Sequence, residues 1–115
     1  MSAELDRLKA ALTAELLSQL RAGGGKVAVL AAIEAGRLAD AMTRVGQALA
    51  AGQIDPAEAA VMIGAQKNAS EAVFCALLEI TRREAGTVLG ATLARALAMI
   101  DAGLAAAIER VSRKP

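Results

Sequence analysis

Residues that could do chemistry occur at three places in this chain. The run Gly23-Gly24-Gly25-Lys26 has the glycines and the lysine of a phosphate-binding loop, Cys75 is a lone thiol, and Glu58, Glu71 and Glu79 lie along one segment. A phosphate loop needs a glycine five residues before its Gly-Lys pair and a hydroxyl residue after it. Those positions hold Leu20 and Val27, so the run reads as a hinge between helices. A reactive thiol needs exposure and positive surroundings that favour the thiolate. The charges closest to Cys75 are Glu71 and Glu79, and the residue reads as a buried packing thiol. Carboxylate metal centres in helical bundles add histidine ligands, and this chain has no histidine. The three glutamates are expected on the solvent side of their helix. No catalytic, cofactor-binding or metal-binding residue is expected, and the protein is read as non-enzymatic.

Composition narrows the choice further. The 115 residues, 11.7 kDa, suffice for one domain. Thirty are alanine and only Phe74 is aromatic, which leaves no platform for stacking bases. Thirteen basic against twelve acidic residues give +1, too balanced for binding a phosphate backbone by bulk charge. No nucleic-acid partner is expected. Mean hydropathy is +0.44, yet the longest charge-free runs, Val45 to Ile54 and Ala85 to Ala94, hold ten residues. A spanning helix needs roughly 18 or more, so no transmembrane span is expected. The acidic N-terminus lacks the basic and apolar regions of a secretory signal, and a free Cys75 suits a reducing compartment. The expected location is the cytoplasm. Arg110, Arg113 and Lys114 make the C-terminal end mildly basic, which complements a helix dipole and leaves peripheral lipid contact open.

Any surface must be positioned by helices, because strong helix formers dominate and no period-two alternation occurs. The expected fold is an all-α bundle of one shorter and three long, mostly antiparallel helices, at about 3–22, 26–51, 56–84 and 86–112. The last two are either separated by a turn near Gly86 or continuous. Helix one, capped by Ser2, lines up Leu5, Leu8, Leu12, Leu16 and Leu20. Helix two has Leu38, Met42, Val45 and Leu49 on one stripe and Glu34, Arg37, Asp40, Arg44 and Gln47 on another. Its start, Val27 to Ile33, is apolar all round and expected to be buried on more than one side. Gly52 followed by Asp55-Pro56-Ala57-Glu58 is a stop and a capping-box start. In helix three Met62, Ala69, Val73, Leu77 and Ile80 form the expected core stripe, with a polar island from Gln66 to Glu71 and an i,i+4 pair from Glu79 to Arg83.

Helix four carries the residues expected to form an interface. Leu89, Leu93, Leu97, Ile100, Leu104, Ile108 and Val111 recur with an eleven-residue period, which favours nearly straight packing. Beside them Gly86, Gly90, Ala94, Ala98, Ala102 and Ala106 form a ladder of small residues at i+4, a groove in which a second helix, either helix one or two of the same chain or one from another chain, can settle closely. The functional expectation is a structural or interaction protein that self-associates through this face, as a homo-oligomer or with another helical protein. One alternative is a surfactant-like coat of a lipid or polyester granule, as phasins are. Such coats keep a strongly charged opposite face, which helix four lacks. Another alternative is a small assembly component or chaperone of a phage or secretion machine.

Overall fold

The computed structural model describes residues 3–20 and 24–112. Among them every regular element is helical: α1 Ala3–Leu20, α2 Gly25–Ala50, α3 Pro56–Leu78, α4 Arg82–Ala96 and α5 Ala102–Ser112, with a 3-10 turn at Leu97–Met99 before α5. The all-α expectation holds, with five α-helices where four were expected. Ser2, Gly23, Arg113 and Lys114 lie outside the described residues.

The break between α2 and α3 follows its sequence signal. Gly52 takes a positive φ of 72°, which costs a glycine little. The Asp55 carboxylate accepts from the Glu58 N–H at 2.8 Å, and the Glu58 carboxylate accepts from the Asp55 N–H at 2.9 Å. The next break falls earlier than expected. Helix three ends at Leu78 rather than near residue 84, because Glu79 turns into the left-handed region (φ 57°) and Thr81 opens α4 with its own capping box to Glu84. Glu79 and Arg83 therefore stand on opposite sides of a turn and form no helical pair. Gly86 is not the turn; it is buried inside α4.

The expected helix 86–112 is two helices. Ile100 is extended (φ −128°, ψ 166°), and Asp101 starts α5 by accepting the Leu104 N–H at 3.2 Å on its side chain. A single rod from residue 56 to 112 would measure about 85 Å at 1.5 Å per residue; the longest dimension of the molecule is 41 Å.

α1 packs on α2 and α4, α2 and α4 each also pack on α3, and α5 wedges against α3 and α4 and reaches α2. The leucine stripe of helix one is as expected, with Leu8, Leu12 and Leu16 buried. So is the second half of α2, where Leu38, Met42 and Val45 are buried. The start of α2 is not. Val29 and Ile33 are exposed, because α2 turns the smaller Ala31 and Ala35 inward there.

Candidate functional site

α3 is inverted relative to an ordinary surface helix. Between Ala59 and Leu78 its only charged residues are Lys67 and Glu71, and both face inward, 3% and 4% exposed. Lys67 Nζ donates to Glu71 Oε2 at 2.9 Å. Arg82 Nε, at the start of α4, approaches Glu71 Oε1 at 3.3 Å. On the α2 side the fully buried Ser70 hydroxyl donates to Glu34 Oε1 at 2.7 Å, while Arg37 donates to Glu34 Oε2 at 3.0 Å. Two buried carboxylates thus have both oxygens engaged, which is the condition for tolerating charge in a low-dielectric interior. No buried side-chain nitrogen or oxygen lacks a partner among the described residues. This cluster corrects one expectation, since Glu71 is not on the solvent side, and it turns Glu34 of the charged α2 stripe inward. Ser70 is bonded inside the bundle, so it is not presented to a substrate.

Beyond the exposed Glu58 of its first turn, the outer side of α3 is correspondingly uncharged. Met62, Ala65, Ala69, Ala72 and Ala76 are all exposed and recur at 3, 4, 3 and 4, the spacing of a coiled-coil seam. Val61, 72% exposed, and Leu77 flank the seam. The expected core stripe of helix three is therefore wrong. Met62, Ala69 and Leu77 point outward, Val73 and Ile80 are half-buried, and the core is made by Ala59, Ile63 and Phe74 with the ion pair. Both sides of this helix are rich in non-polar residues, so periodicity alone does not choose between them. The usable signal was the 3-4 spacing opposite the Lys67–Glu71 pair. Charged side chains border the ridge: Arg37, Asp40 and Arg44 line the groove towards α2, and Arg110 lines the groove towards α5.

The expected interface residues are divided by the structure. Leu89, Leu93, Leu104 and Ile108 are buried in the chain's own core, and Leu97 and Ile100 pack against it. Gly86 and Gly90 are buried as well, while Ala94, Ala98, Ala102 and Ala106 are exposed. The turn at Leu97–Asp101 interrupts the ladder, so its six positions do not form one groove. A Cβ on Gly90 would lie 2.9 Å from the carbonyl oxygen of Ser112, which identifies α5 of the same chain as the element seated there. Cys75 is half-buried rather than buried, at the edge of the outer face of α3.

Among the described residues no group of three or more histidine, cysteine, aspartate or glutamate side chains could hold a metal ion. No helix among them is long and apolar enough to cross a membrane. The Glu84 carboxyl is held below its ordinary value, first by the Thr81 backbone N–H and then by the Thr81 hydroxyl. That is cap chemistry. Comparison with protein-family models, curated proteins and solved structures returned no match.

Proposed function

We propose that this protein is a non-enzymatic helical interaction protein that self-associates through the outer face of α3. The inversion of that helix carries the reading. A helix that buries its only mid-length ion pair and turns Val61, Met62 and Leu77 to solvent leaves an apolar surface of the kind that marks interfaces. Alanines at the seam positions let a facing helix approach closely. From Met62 to Ala76 the face carries no charge of its own, so two copies meet there without repulsion, and an isologous contact between identical patches follows naturally. An apolar centre bordered by Arg37, Asp40, Arg44 and Arg110 matches interface anatomy.

This surface differs from the C-terminal face expected from the sequence, whose large side chains are spent on the internal core. The four exposed alanines there offer less apolar area. A granule coat or a component of a larger assembly would use the same α3 face on a different target. A cytoplasmic setting, with Cys75 reduced, belongs to this reading.

Light scattering after size exclusion tests it, with and without lipid vesicles. A discrete oligomer that ignores vesicles, and that Ala69→Lys reduces to a helical monomer, supports the proposal. A parent protein that stays monomeric across the concentration range overturns it, as does vesicle binding by the monomer, which favours the coat.

A further inference from the structure

The turn between α4 and α5 lacks the sequence that makes the other two turns. Gly52 and Pro56 punctuate the first, and the second has a left-handed residue and a Thr-x-x-Glu cap. Between Ala91 and Asp101 there is neither glycine nor proline. Leu97, Ala98 and Met99 are good helix formers, and Leu97 still has α-helical angles. The apolar stripe Leu89, Leu93, Leu97, Ile100, Leu104, Ile108 keeps its phase through the break, as it would in one uninterrupted helix. Local preference and tertiary structure conflict at this point.

The slot that holds α5 is the second observation. Three different helices each give a glycine to it. A Cβ on Gly46 of α2 would meet Leu104 at 3.3 Å, one on Gly64 of α3 would meet Val111 at 3.9 Å, and one on Gly90 of α4 would meet the Ser112 carbonyl at 2.9 Å. At Gly46 and Gly90 a side chain would press on α5, while at Gly64 it would make ordinary contact; the slot thus holds α5 closely, and a second copy of the chain brings the same helix.

We propose that α5 is an exchangeable arm: the turn at Leu97–Asp101 opens, α4 and α5 join as one helix, and α5 docks in the slot of a second copy. Exchange keeps every docking contact and adds helical hydrogen bonds across the former turn. It gives up the Asp101 cap, the packing of Leu97 and Ile100 in the turn and the freedom of separate chains, and the exchanged form is favoured by concentration. This is independent of association through α3.

Gly64→Cys with Val111→Cys, in a Cys75→Ser background, reads the exchange directly. After incubation at high concentration and oxidation, a denaturing gel without reductant is expected to show a covalent dimer that grows with concentration. Asp101→Ala should increase its yield several-fold by removing the cap. Ala102→Pro should abolish it, because proline suits the first position of α5 and breaks a continuous helix. Association through α3 leaves the disulfide within each chain, so the two proposals fail separately. A cross-link that stays intramolecular at all concentrations overturns the exchange. Light scattering on Asp101→Ala and Ala102→Pro without the added cysteines, each carrying Ala69→Lys to remove association through α3, is the second measurement, and equal dimer yields in the two overturn it.

Discussion

Glu71 holds two cations across two helices, and its removal separates a buried interaction from an exposed one. Glu71→Ala leaves the Lys67 ammonium buried without its carboxylate, for which a loss of about 3–5 kcal/mol is expected. Arg82→Ala removes the other contact, but that side chain is 67% exposed, and a loss of under about 1 kcal/mol is expected. Urea denaturation of the two variants measures the difference. A second residue-scale prediction concerns Glu84. Its folded carboxyl titrates below the ordinary value of 4.5, so its capping contribution is fully present above that value and is lost as pH falls through the lower folded one. The stability gap between the parent and Glu84→Gln should therefore narrow on acidification from neutral pH, followed by the urea midpoint. The burial of Glu34 was not legible in the sequence. Its i,i+3 neighbour Arg37 looks the same on a surface or at an edge, and its inward partner Ser70 lies 36 positions away.

Among the elements, caps were legible where they rest on local hydrogen bonds. Asp55→Ala should cost about 0.5–2 kcal/mol by freeing the first-turn amide of Glu58. Asp40→Ala, which removes an exposed i,i+4 pair with Arg44, should cost only a few tenths; thermal melts of both variants make the comparison. The Thr81–Glu84 box is equally local, yet Gly86 five residues later suggested the turn. Gly86 is instead buried in α4, so a glycine that permits packing was taken for one that permits a turn. The break at Leu97–Asp101 had only the Asp101 cap as a local signal, with no glycine or proline between Ala91 and Asp101, and α5 folds back into the slot formed by α2, α3 and α4. Gly90→Leu should show this. Its first carbon would press on the backbone of Ser112, so overpacking of about 1–3 kcal/mol is expected despite the gain in helix propensity. The melting temperature should fall with no change in mass, and a rise would place α5 elsewhere.

At the scale of the whole molecule, the sequence disclosed helices, a leucine core and the absence of histidine chemistry, but not which side of α3 is inside. That choice is made by the assembled bundle. Ile63 and Phe74 are buried on the inner side of α3, where Arg82 supplies a second partner for the Lys67–Glu71 pair and Glu34 takes the Ser70 hydroxyl. Once that side is fixed, the seam from Met62 to Ala76 is left facing water, the surface on which the proposed self-association rests.

An uncharged ridge of this kind ties thermal stability to abundance. Anything that binds the native state and not the unfolded chain raises the unfolding free energy by mass action, and under the proposed self-association the binding species is the protein itself. The calorimetric melting temperature should rise as protein concentration is increased, and Ala69→Lys should flatten the dependence. A dilute cell would then hold the chain near the lower edge of its stability, and an abundant supply would protect it.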